Sequence, residues 1–156
     1  MTTEDLVMVA SLDHRLVALS ALISMLASFA GRDLSERVRD AHGQAWLAWL
    51  VGGATADGIG TWSMHYTGML AFRLPVPVLY YWPTVLLSLL VGILGSAAAL
   101  IVVSRSRIGW PRALVASIFM GGVGISGLHY TAMAAMRLKG MHHYSPALVT
   151  LSVVLA

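Results

Sequence analysis

Long unbroken apolar runs dominate the chain. Four of them cover roughly residues 16–30, 45–72, 78–103 and 113–136, and a fifth opens near residue 147. Apolar and polar positions do not alternate along these runs, as the strands of a membrane barrel require. A helix rises ~1.5 Å per residue and the hydrocarbon core is ~30 Å thick, so about 20 apolar residues cross it. In hydrocarbon every backbone amide must be satisfied within its own segment, which makes helix the expected form. The pattern therefore predicts an all-α transmembrane protein, a helical bundle with four complete spans plus the start of a fifth. The first run is short and is extended by the amphipathic LDHR at its head. The fifth is too short to cross a bilayer, so the reading expects a fragment or a chain cut within its next helix.

Composition strengthens the membrane reading. Of the 156 residues, 58% are apolar and only 11% are charged, against about one quarter charged in an ordinary soluble domain. The mean hydropathy is +0.77. The net charge of +3 is no argument for nucleic acid, because the basic residues sit in segments that flank the apolar runs. GRDLSERVRDAHGQ carries Arg32, Arg37 and Arg39, and SRSRIGWPR carries Arg105, Arg107 and Arg112. At the opposite ends lie Arg15, Arg73, Arg137 and Lys139. The excess places the first two loops in the cytoplasm and the N-terminus outside. MTTEDL lacks a basic n-region, so no cleavable signal peptide is expected. Cysteine is absent, which rules out disulfides and thiolate metal ligands and leaves nine Met and six His as soft or borderline donors.

The chain repeats itself. When His65 is aligned with His129, Gly58 meets Gly122, Gly60 meets Gly124, Met69 meets Met133, and Arg73-Leu74 meets Arg137-Leu138. The preceding helices also match, LVALSALISMLAS against TVLLSLLVGILGS, and a third copy opens with LVTLSVVLA. The unit is two helices, the second bearing the motif. Repeat 1 covers about 14–74, repeat 2 about 82–138, and repeat 3 begins about 146 and is cut off. Together they make one membrane domain over 1–156. An even number of spans per unit inserts every copy in the same direction, unlike inverted transporter repeats.

SMHYTGM at 63–69 and GLHYTAM at 127–133 resemble the MHYT family, a bacterial integral-membrane sensor domain. The resemblance runs from about Asp13 to the end and includes HRLVALS at the head of the first helix. It implies three two-helix units near the outer face of the inner membrane. It further implies a copper site made by Met and His, and a role in sensing oxygen, carbon monoxide or nitric oxide. Family members often precede cyclic-di-GMP synthesis or degradation domains, which implies a downstream partner of that kind. Two departures stand out. Leu128 replaces the first Met of the motif in copy two, and the third motif is missing.

Residues four apart share a helix face, so His65 points with Met69 and His129 with Met133. If the units pack symmetrically, two imidazoles and two thioethers converge. Thioether suits Cu(I) and imidazole suits copper in general. The metal donors expected are thus His65, Met69, His129 and Met133, with Met64 as a fifth. Each has a plainer reading: packing for the Met residues, interhelical hydrogen bonding for the His residues. Tyr66 and Tyr130 read as membrane-interface residues, and Thr67 and Thr131 as bonded back to their own helix. Gly58, Gly60, Gly68, Gly122 and Gly124 read as points of close helix approach. Asp57, two turns before His65, is an intramembrane carboxylate and so a candidate to orient His65 from behind, through water or an intervening group, or to relay a proton. His14 and the Met-His-His at 141–143 read as interface residues or auxiliary donors, and His42 as irrelevant. Two alternatives remain open: a b-type haem protein with His65 and His129 as axial ligands, and a small transporter or proton pathway through Asp57. No nucleophile elbow, phosphate loop or carboxylate pair is present, so no enzyme activity is expected of these residues.

Overall fold

The computed structural model describes residues 11–73, 78–104 and 109–137. The start of the third copy and the Met-His-His at 141–143 lie outside them. The described residues form four rods, α1 His14–Asp40, α2 Gln44–Ala71, α3 Trp82–Val103 and α4 Trp110–Ala135. Four two-residue strands accompany them: β1 Ser11–Leu12, β2 Phe72–Arg73, β3 Leu79–Tyr80 and β4 Met136–Arg137. Asp13 caps α1, its carboxylate accepting from the Arg15 N–H at 3.1 Å, the usual use of a short polar side chain at this position. Pro83 and Pro111 stand in the first turns of α3 and α4, where a missing N–H leaves no bond unmade.

The protein is all-α in its spans, and among the described residues three helices, against the four expected, meet the length and hydropathy of a complete span. α1, α3 and α4 are long and apolar enough to cross a membrane. α2 is longer than α3, at 28 residues, yet falls short on hydropathy. Asp57, His65 and its glycines and threonines dilute the apolar run. α1 also extends beyond its apolar stretch, so Arg32, Arg37 and Arg39 lie on helix rather than in a loop. The extension is favoured by basic residues in the last turn and by the i,i+4 pair of Asp33 with Arg37 at 2.7 Å.

The helices pack in chain order, α1 on α2, α2 on α3, α3 on α4. The α1–α2 and α3–α4 pairs are each tied at one end by a short antiparallel ladder, and the two ladders correspond. β1–β2 joins Ser11 to Arg73 and Leu12 to Phe72; β3–β4 joins Leu79 to Arg137 and Tyr80 to Met136. Behind them the Asp13 N–H donates to the Ala71 carbonyl at 2.8 Å, and the Tyr81 N–H to the Ala135 carbonyl at 2.9 Å. These are the same positions of the two sequence copies. The first clasp carries in addition the Arg73–Asp13 ion pair at 2.6 Å. At the opposite end Val38, Leu50, Ala54 and Leu100 form an apolar core.

α3 is the spine. Ser88, Gly92, Gly95 and Ser96 make one narrow, buried stripe along it. A Cβ on Gly95 would collide with the backbone of Gly124, and one on Gly58 would lie 2.8 Å from the Ile93 backbone. Gly60 is tight against Ala27 and Gly68 makes only ordinary contact. Gly122 departs from the close-approach expectation: nothing lies within 4 Å of its missing side chain. Within α4, residues Ile118–Ser126 are π-helical, each turn taking one residue more than an α-turn. Nothing in the apolar run signals this.

Gly95→Val should drive α3 and α4 apart and cost about 2–3 kcal/mol, the range of overpacked interiors. Gly122→Ala should leave stability unchanged or slightly raised, since it removes backbone freedom in open space. Thermal unfolding in detergent, followed by circular dichroism, separates the two variants.

Candidate metal and ligand cavity

His65 on α2 and His129 on α4 meet across the top of the spine. Their ring centroids are 4.9 Å apart and the planes are inclined at 79°. α2 reaches this point as an uninterrupted α-helix, whereas α4 passes through its π-helical stretch three residues before His129. The wider turns rotate His129 away from where a regular helix would aim it. Ser20 on α1 donates to the Met64 carbonyl at 2.8 Å, anchoring α2 one residue before His65. Trp62 donates through its indole N–H to Ser88 at 3.2 Å, tying the same turn to α3.

The two imidazoles border a cavity of about 300 Å³, walled also by Thr61, Met64, Leu128 and Tyr130. His65 Nε2 is buried and finds no hydrogen-bond partner among the described residues, as does the Tyr66 hydroxyl. A buried polar atom normally has a partner, so an unpaired nitrogen in a ring that borders the cavity is a feature to explain. Tyr66 belongs to an aromatic group near the end of α2. It packs 4.7 Å from Trp62 and 6.0 Å from Tyr80 between ring centroids. Burial first, and the Tyr66 phenol second, push the Tyr80 hydroxyl above its ordinary titration range. Thr131 donates back to the Gly127 carbonyl at 2.7 Å.

The other expected site residues divide. Met64 borders both this cavity and a smaller one of about 190 Å³ beneath it. Met69 and Met133, one turn past the histidines, are half-buried and are not among the cavity-lining residues. Leu128 is buried and seated on Gly92, whose added Cβ would come within 2.7 Å of it. Asp57 is bonded not to His65 but to Ser96, whose hydroxyl donates to it at 2.7 Å. His14 is exposed at the clasp and His42 is exposed beyond the C-terminus of α1. Ser20, Ser88, Ser96 and Met120 escaped the sequence reading. Ser20 and Ser88, and equally Ser28 and Ser96, hold matching positions of the two copies, and that repetition was the available signal.

The residues present fit a small metal ion. Two imidazoles sharing one ion through bonds of ~2 Å hold their centroids roughly 4.5–6 Å apart, and 4.9 Å lies inside that range. His65 Nε2 has no hydrogen-bond partner among the described residues, and Met64 lines the same cavity. Among the described residues no group of three or more His, Asp or Glu side chains gathers, so an ion here would have to rely on the histidine pair and a neighbour such as Met64. A haem between the two rings does not fit. Axial imidazoles must stand on opposite faces of the macrocycle, about 6 Å or more apart at the same bond length; these rings are in edge-to-face contact.

Comparison with known proteins identifies the family. The family model MHYT, described as "Bacterial signalling protein N terminal repeat", matches residues 58–116 and 122–156. The two stretches start at the same interval that separates His65 from His129. The chain is 42% identical over 149 residues to the bifunctional diguanylate cyclase/cyclic di-GMP phosphodiesterase MucR of Pseudomonas aeruginosa, covering 96% of this chain and 22% of that protein. It is 38% identical to the cyclic di-GMP phosphodiesterase NbdA of the same organism, covering 90% and 18%. It is 34% identical to the signaling protein YkoW of Bacillus subtilis, covering 90% and 17%. The chain thus spans about a fifth of the length of the relatives it matches. No solved structure matches it.

Leu128 fills the place that Met64 holds in the first copy, so its size matters more than its chemistry. Leu128→Met should cost less than about 1.5 kcal/mol, and Leu128→Ala about 2–5 kcal/mol, because only the second leaves a void over Gly92. Unfolding midpoints in detergent read the difference.

Proposed function

The chain belongs to the MHYT family of N-terminal repeats of bacterial signalling proteins, and from that premise we propose a copper-dependent sensor of a diatomic gas or of redox state. The coarse part of this reading, a multi-pass membrane sensory module, is carried by the family and by the three apolar helices. The finer part rests on one observation: two histidines from the two motif helices stand 4.9 Å apart on a shared cavity, with His65 Nε2 buried and unpartnered among the described residues.

His65 and His129 would hold the ion from opposite helices, and Met64 would favour its Cu(I) form. Copper, when bound, supplies an open coordination position for oxygen, carbon monoxide or nitric oxide and a one-electron couple. The chain's own part is to fix the two rings, exclude bulk water and register the change. His129 follows the π-helical stretch directly, so a shift of its ring would act on a segment whose hydrogen-bond register differs from the rest of α4. A ligand that binds the two registers unequally moves their populations.

In this reading α2 is the fourth span, lying between α1 and α3 at comparable length. The domain comprises units at about 14–74 and 82–138, with a third beginning about 146. The arginine bias puts the clasps and the histidine pair toward the outer face of a bacterial inner membrane. The relatives named above suggest a cyclic-di-GMP domain or protein as the output. Met69 and Met133 serve packing or a later coordination state.

The test is metal analysis of the full chain, purified anaerobically and loaded with Cu(I) or Cu(II). The expected result is about one copper per chain, with retention falling ~10-fold or more in His65→Ala and in His129→Ala. Met64→Leu should weaken Cu(I) more than Cu(II). Absence of stoichiometric copper in both redox states, or retention unaltered in both histidine variants, refutes the copper reading. A Soret band in the purified protein would favour haem instead.

A further inference from the structure

We propose that Asp57, Ser96 and Met120 form a proton-binding site in the middle of the helical layer, separate from the histidine pair. The Asp57 carboxyl takes up one proton, and the Ser96 hydroxyl turns between two acceptors. Asp57 lies mid-way along α2, Ser96 on α3 and Met120 in the π-helical stretch of α4. Ser96 is 1% exposed. Its Oγ stands 2.7 Å from Asp57 Oδ2 and 3.9 Å from Met120 Sδ, so one hydroxyl proton has two acceptors of unequal strength.

The surroundings call for neutralisation. An ionised carboxylate offers about four acceptor positions, and the side-chain donor present is Ser96 alone among the described residues. Asp57 has no ion pair among them. α2 carries no other charged residue and α3 none. On α1 the contact is Gly31, against which Asp57 Oδ1 is pressed. Its neighbour Arg32 is exposed, and Asp33 is paired with Arg37. On α4 the titratable groups are Arg112, in the first turn, and His129 and Tyr130, past the π-helical stretch; Met120 faces the pair between them. An unpaired charge in hydrocarbon is costly, and a single proton removes it.

Space for a hydrated proton lies beside Asp57. The cavity of about 190 Å³ beside Asp57 is lined by the hydroxyl-bearing Ser24, Ser28 and Thr61, and water takes ~30 Å³ per molecule. The step balances without electron transfer. Hydrated proton in the cavity protonates an Asp57 oxygen and leaves water. The new carboxyl O–H donates to Ser96 Oγ, and the Ser96 O–H releases Asp57 and donates to Met120 Sδ. Proton occupancy on α2 is thereby read on α4, in the segment that precedes His129.

Infrared difference spectroscopy of the metal-free full chain in lipid nanodiscs tests this apart from any copper site. Exposed carboxyls ionise near pH ~4, so a protonated-carboxyl carbonyl band at neutral pH isolates the buried group. The expected band shifts in D2O, vanishes as pH rises, and is absent in Asp57→Asn. It should survive in Ser96→Ala and in Met120→Leu at altered frequencies, since each removes one hydrogen bond of the chain. If Asp57→Asn fails to fold, Asp57→Glu should keep the band and shift it. No band at neutral pH in the parent chain, or an unchanged band in Asp57→Asn, overturns the proposal. So does loss of the band on adding sodium, but not choline, at fixed pH, which would mark a cation site.

Discussion

Everything in this protein depends on how thin α3 is. Its inward stripe is Ser88, Gly92, Gly95 and Ser96, residues with little or no side chain. Where hydrocarbon surrounds helices there is no hydrophobic gain from bringing them together, and close packing with polar bonds must supply the attraction. Gly95 lets the backbone of α4 approach at Gly124, and Gly58 lets α2 settle on Ile93. A bulkier spine would hold α2 and α4 too far apart for His65 and His129 to touch. The polar members of the stripe do a second job. Ser88 receives the Trp62 indole N–H and Ser96 binds Asp57, so the polar groups of α2 are satisfied by the helix that sets its distance.

The two copies of the repeat are alike in their frame and unlike in their interior. Both close with the same strand register and the same backbone hydrogen bond behind it. Between the clasps they diverge. Copy one carries Asp57 and Met64 on a regular helix; copy two carries Gly121 and Leu128 on a helix with π-turns through Ser126. The asymmetry puts Asp57 and Met64 on the helix of one histidine and the π-helical register on the helix of the other.

Much of this was legible in the residues. The apolar runs give helices, because nothing else satisfies backbone groups in lipid. The repeat gives equivalent hairpins, and the doubled His-Tyr-Thr gives the pair to watch. What local reasoning missed was phase and dilution. Spacing of four put Met69 and Met133 with the histidines, yet Met64 is the methionine on the cavity wall. The i,i+4 rule states which residues share a helix face, not which part of that face meets a neighbour. Asp57, expected near His65 on its own helix, found Ser96 on the adjacent one, because that partner lay across a contact no single-helix pattern encodes. Gly122, aligned with a crowded glycine, stands in open space because the π-turns rotate it out of the interface.

The sequence by itself determined the solvent, the helical class, the two-helix period and the chemistry available: no thiols, two motif histidines, one intramembrane acid. These follow from composition and local periodicity, which act within a turn or two of chain. Only the tertiary structure decided that the two imidazoles meet, that Met64 and not Met69 accompanies them, and that Asp57 looks to Ser96 and Met120. Those outcomes depend on interhelical distance and rotation, and both are set by small residues on α3 acting together with an irregular stretch of α4.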